Sequence, residues 1–157
     1  MKLSSNSAWD LPAITRFLGT TAIPIRIAVN QDAFPVICSL WYSFDTEKNA
    51  FICVSHESSH LIELLQKDVH CAFEVAPNEP PYCGVRGQGL ATVTREGAGD
   101  ALQALIDRFL GDGNQSLARW LLGRADEEYL IQLTPVWISS WDYGNRMDRK
   151  LRGTPST

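Results

Sequence analysis

Three strand-like runs lie so close together in the chain that the links between them have room only for reversals. Ile25-Arg26-Ile27-Ala28-Val29 is followed by Asn30-Gln31-Asp32 and then by the run Pro35 to Tyr42. The turn-like stretch Asp45-Thr46-Glu47-Lys48-Asn49 separates that run from Ala50-Phe51-Ile52-Cys53-Val54. Parallel strands need a crossover of about a dozen residues, whereas antiparallel strands close through short turns, so these runs read as an antiparallel meander. Further β-type segments follow at Val69 to Val75, Gly84 to Arg95, Tyr129 to Leu133 and Val136 to Trp141. Pro77-Asn78-Glu79-Pro80-Pro81 must be a loop, and Pro135 is expected at a bend or edge.

Helices punctuate the strands. Leu61, Ile62, Leu64 and Leu65 form a helical apolar stripe, with Ser58 or Ser59 as the N-cap. Leu102, Leu105, Ile106 and Phe109 form another, between about Glu96 and Leu110, ended by Gly111-Asp112-Gly113. Leu117, Trp120 and Leu121 suggest a short third helix, and Trp9 to Leu18 an N-terminal one with Pro12 in its first turn. Mainly antiparallel strands with a few helices imply a small β-barrel with peripheral helices. No composition break divides the chain, so residues 1–157 are expected to form one domain, with a barrel core over about 22–142 and a flexible tail over about 146–157.

The hydrophobic fraction of 45% and charged fraction of 20% are those of an ordinary globular protein. A net charge of −4 argues against a nucleic-acid platform, which needs concentrated Lys and Arg. The longest apolar run, Ala33 to Phe44, is too short to span a bilayer, and Met1 to Ser7 carries no apolar signal core. Cys38, Cys53, Cys71 and Cys83 include no C-x-x-C pair, and three of them sit in apolar stretches. They read as reduced thiols in a cytoplasmic protein.

His56-Glu57-Ser58-Ser59-His60 matches the zinc-peptidase pattern H-E-x-x-H, in which two histidines share one helix face. Here the string follows a strand directly, so His56 precedes the helix, and no metal site is expected. Gly84-Val85-Arg86-Gly87-Gln88-Gly89 runs on into a strand rather than a helix and lacks dinucleotide-loop spacing; its glycines suit curvature or a close backbone neighbour. The serines of the strand-to-helix junction, Ser55, Ser58 and Ser59, with His60, could hold a phosphate at a helix start, or Ser58 could simply cap the helix. Trp41-Tyr42, Trp137 and Trp141 are walls of the kind a flat ring system needs, or core and subunit contacts.

The order of these segments resembles the FMN-binding split-barrel family typified by pyridoxamine 5′-phosphate oxidase. The residues that carry the resemblance are Arg26-Ile27-Ala28-Val29, Pro35-Val36-Ile37, Leu40-Trp41-Tyr42, Ser55-x-x-Ser58-Ser59-His60, Leu64-Leu65 and Val85-Arg86-Gly87-Gln88-Gly89. The similarity extends from about Ile25 to Leu90, and more loosely to Ser140-Trp141-Asp142. It implies a six-stranded antiparallel Greek-key split barrel, a homodimer, and FMN bound at the dimer interface. Carried over, Ser39, Leu40 and Trp41 would lie along the isoalloxazine, and Val54 and Ser55 would border the ring and ribityl chain. Ser58, Ser59 and His60 would hold the phosphate, Arg86 would be an auxiliary charge, and Trp141 would approach from the second subunit.

The family often places Arg and Lys at the phosphate, where this chain has Ser59 and His60. Asn145-Arg146-Met147-Asp148-Arg149-Lys150 does not match the pattern that recognises pyridoxal phosphate, so vitamin B6 oxidation is not assigned. The resemblance implies a flavoprotein, an FMN-dependent oxidoreductase with a small-molecule substrate. The alternatives are the same fold holding a deazaflavin or haem, or a non-catalytic dimeric binding protein with a weakened phosphate site.

Overall fold

The computed structural model describes residues 1–144; the expected flexible tail and the basic stretch from Asn145 lie outside the described residues. The chain runs through β1 (Lys2–Leu3), α1 (Leu11–Thr20), β2 (Ile25–Gln31), β3 (Phe34–Leu40), β4 (Tyr42–Asp45), β5 (Ala50–His56), α2 (His60–Lys67) and β6 (His70–Val75). It continues through β7 (Cys83–Thr94), α3 (Ala98–Phe109), α4 (Gln115–Leu122), a 3-10 turn (Ala125–Glu127) and β8 (Glu128–Asp142).

The sheet order is β3-β2-β6-β7-β8-β5-β4, antiparallel throughout, with β1 added in parallel on β8. Its two edges are the two halves of one stretch of chain. β3 pairs with β2 and β4 pairs with β5, and only Trp41 lies between them. The ladder does not close, and Trp41, unpaired between the two edge strands, lies at the gap, the split of the barrel. The run expected from Pro35 to Tyr42 is therefore two strands. The two closing runs are in turn one strand, β8, which passes through Pro135 at a register shift where Gln88 faces Trp137 and Gly89 faces Pro135. A proline is tolerated there because the bulge interrupts the hydrogen-bond ladder. With β3 and β4 counted as one bent strand and the short β1 set aside, the barrel has the expected six strands.

Alternating residues fill the barrel. Ile25, Ile27 and Val29 of β2, Cys71, Phe73 and Val75 of β6, and Ile131, Leu133 and Ile138 of β8 are buried. α2 lays Leu61, Ile62, Leu64 and Leu65 over the same core. α3 and α4 instead cover the outside of the split: Leu102, Ile106 and Ala118 pack with Trp41 and Val54 in a second apolar cluster. All four cysteines are free thiols. No helix among the described residues is long and apolar enough to cross a membrane.

Candidate functional site

The junction from β5 into α2 is built by short-range hydrogen bonds. Ser59 is the N-cap of α2, its Oγ accepting from the Ile62 N–H at 3.3 Å. The Ser55 and Ser59 hydroxyls lie 2.8 Å apart. His56 Nδ1 accepts the Ser58 N–H at 3.1 Å and lies 2.8 Å from Ser58 Oγ. On its other side, His56 Nε2 lies 2.7 Å from Glu127 Oε2, with the Arg124 guanidinium on the same two groups. His60 Nδ1 lies 3.1 Å from Glu63 Oε2, and Lys67 donates to the other oxygen of Glu63 at 2.6 Å. These bonds, that from Lys67 first, hold the Glu63 carboxyl below the usual carboxylate range. His56 thus ends a strand and His60 opens a helix, so the two rings of the H-E-x-x-H string share no helix face. No group of three or more metal-ligating side chains occurs among the described residues.

Beside this junction lies a cavity of about 380 Å³ between the split and the two outer helices. Ser39, Leu40, Trp41, Val54 and Ser55 form its barrel wall, and Leu102, Leu105, Leu117 and Leu121 of α3 and α4 form the opposite one. His56 and Glu128 line it as well. Trp41 is fixed from behind by Phe109, their rings nearly parallel (8°) at 5.2 Å. Five of the ten residues singled out from the sequence therefore meet in one hollow. Ser59 joins it through the hydroxyl of Ser55, while Ser58 and His60 are bonded to His56 and Glu63 at the adjoining turn.

Arg86 and Trp141 lie elsewhere in the chain. Ser39, Arg26, Glu74 and Arg86 stand in one row across β3, β2, β6 and β7, which puts Arg86 three strand spacings from Ser39, about 14 Å. The Arg86 guanidinium sits 5.5 Å over the Trp141 ring. Arg86 also lines a separate hollow of about 350 Å³ with Arg26, Glu74, Gln88 and Trp137. This face of the sheet exposes Ile37, while Phe34 at the start of β3 is 80% exposed. Among the residues the sequence did not flag is Glu128, whose carboxyl is pushed up by burial against the opposing effect of His56 and Arg124.

The cavity fits a flat apolar ring better than the turn fits a phosphate. The cap hydroxyls already have partners within the chain, and the carboxylates around the turn, Glu57, Glu63 and Glu127, are paired with Arg95, with Lys67 and His60, and with Arg124 and His56.

No protein-family model matches the sequence, and no curated protein matches it. Solved structures do match in fold. A conserved hypothetical protein of Mycobacterium tuberculosis is 17% identical with a TM-score of 0.71, over 100% of this chain and 96% of that one. An F420 reductase is 18% identical with a TM-score of 0.64, over 78% of this chain and 93% of that one. A pyridoxamine 5′-phosphate oxidase-like protein of Listeria innocua is 15% identical with a TM-score of 0.59, over 83% of this chain and 94% of that one. The chain has the split-barrel fold of the pyridoxamine 5′-phosphate oxidase-like proteins.

Proposed function

We propose that this chain is a flavin-binding protein, with FMN as its cofactor, acting as a homodimeric cytoplasmic oxidoreductase on a small molecule. The observation that carries the reading is the convergence of Ser39, Leu40, Trp41, Val54 and Ser55 on one cavity at the split. Its volume of about 380 Å³ lies within the range of small-molecule sites. The barrel wall would face the ring, and Ser55 and Ser59 would lead from it to the α2 N-terminus, where amides without helical acceptors suit an anion. A bound flavin would supply the electron or hydride transfer, while the protein orients it and limits water. The second subunit is suggested by the apolar side chains Phe34, Ile37, Leu90 and Val136, all exposed. A partner would also be needed to bring an Arg86 and a Trp141 to the site.

Titration of the purified protein with FMN, followed by flavin fluorescence and visible absorption, tests the reading. Saturable quenching with one FMN per chain, by a protein that light scattering reports as a dimer, is the expected result. Unquenched FMN refutes it, and parallel titrations with a deazaflavin and with haemin separate the other ligands. The self-contained bonding of Ser58, Ser59 and His60 favours a second reading, a dimeric binding protein that holds the ring and neglects the phosphate. That reading predicts equal affinity for riboflavin and FMN.

A further inference from the structure

The outer wall of the cavity is aliphatic, but one end carries a carboxyl that the fold leaves without a partner. In the ladder between β5 and β8, Val54 faces Leu130 and His56 faces Glu128. Residues opposite each other in a ladder share a face, so Glu128 stands on the same side as Val54, the side that α3 and α4 cover. Glu128 is only 8% exposed and lines the cavity. Its carboxylate makes no hydrogen bond or ion pair among the described residues. The charged groups around it are His56 on β5 and Arg124 and Glu127 in the preceding turn, and the first two are bonded to Glu127 instead. Glu128 is largely covered while its carboxylate stays unpaired, so a cation brought to it from the cavity gains an ion pair with little competition from water.

We infer that this cavity binds an apolar organic cation, a hydrophobic amine whose body packs against Leu102, Leu105, Leu117 and Leu121 and whose ammonium pairs with Glu128. A neutral alcohol would satisfy one lone pair and leave the charge without a counter-ion. An organic anion would meet a carboxylate in a low-dielectric space. The leucine wall gives shape and apolar contact without direction, so Glu128 fixes which end of the ligand enters. The inference needs only the cavity and the carboxyl; the flavin reading puts its ring in the same cavity, so the two ligands would compete for it.

Calorimetric titration of the full-length chain, without added flavin, tests it with three probes of one shape: 3-phenylpropylamine, 3-phenylpropan-1-ol and 3-phenylpropionate. The amine is expected to bind about tenfold tighter than the alcohol, as a charge-assisted bond in a buried site requires, with the carboxylate weakest. Glu128→Gln should weaken the amine about tenfold and leave the alcohol within about twofold. Leu117→Trp, which fills the cavity and leaves Glu128 in place, should abolish binding of both. Equal affinity for amine and alcohol in the parent protein overturns the inference, as does an amine affinity indifferent to either substitution. The ligand series on the parent protein is decisive even if a variant folds poorly. Because no flavin is present, a failed FMN titration leaves these outcomes unchanged.

Discussion

Arg108 and Tyr42 donate to the same acceptor, the Leu18 carbonyl, at 3.1 and 3.0 Å. That carbonyl belongs to the last turn of α1, where helical N–H donors run out. Arg108 reaches it from α3 and also donates to Gly19 and Thr21, each at 2.8 Å, so one guanidinium serves three carbonyls. Burial pushes the Tyr42 phenol up to about 12, although Arg108 opposes the shift, so it stays protonated and able to donate. Arg108→Met should therefore lower unfolding stability by about 2 kcal/mol and Tyr42→Phe by about 1 kcal/mol, read from urea transitions. The double variant should lose less than the sum, because the two side chains share an acceptor. Strict additivity would show that they act independently.

Gly87 and Gly99 predict opposite signs for the same substitution. A Cβ at Gly87 in β7 would overlap the Trp137 carbonyl and come within 2.5 Å of the Phe73 ring. Backbone on one side and a core ring on the other leave no room to yield, so Gly87→Ala should destabilise by about 3 kcal/mol. At Gly99, in the first turn of α3, the nearest atom to an added Cβ is the Ala125 Cβ at 4.0 Å. Gly99→Ala should stabilise by about 0.5–1 kcal/mol through helix propensity and a less flexible unfolded chain. Thermal unfolding of the two variants beside the parent checks both signs, and a stabilised Gly87→Ala would contradict the packing of β7 on β8.

How far these features could be read in advance depends on their range in the chain. Strand alternation, the Asp45 to Asn49 turn and the α2 cap are local, and the sequence carries them; of the two serines considered, Ser59 is the cap. The break at Trp41 has no glycine or proline to announce it. It arises because Leu40 and Tyr42 pair with different strands, a tertiary demand invisible in the segment itself. Glu128 is still less legible: its burial comes from helices that end before it, and nothing in Glu127-Glu128-Tyr129 distinguishes it from the exposed Glu127. The resemblance groups Arg86 and Trp141 with the cavity residues, and only the register separates them from the cavity within one chain.

Asp68 gives a dependence on acid with a definite direction. It ends α2 and accepts from Asn30 Nδ2 at 2.9 Å, from the His70 N–H at 3.0 Å and from His70 Nδ1 at 2.7 Å. These bonds, the Asn30 one first, hold its carboxyl at about 2. A carboxyl depressed in the folded state stabilises it fully above the unfolded value of about 3.9 and loses that contribution as pH falls toward the folded value. Asp68→Asn should therefore be less stable than the parent at pH 6, with the gap closing between about pH 4 and pH 2. Urea titrations at several pH values test this, and a gap that widens on acidification is the contrary result.

The phosphate end of the proposed flavin site supplies the last prediction. His60 lies beside Glu63, so a phosphate at the α2 N-terminus would find a carboxylate competing for that imidazole. A lysine at that position brings a fixed charge, and charge-assisted hydrogen bonds are roughly twice as strong as neutral ones. His60→Lys combined with Glu63→Gln should tighten FMN about tenfold, since the second change removes the competing carboxylate. His60→Ala should weaken FMN. Riboflavin has the same ring and lacks the phosphate, so its affinity should stay within about twofold in every variant. Fluorescence titration with both flavins separates the possibilities: parallel changes would place His60 at the ring or in the folding of α2, whereas a response confined to FMN places it at the phosphate.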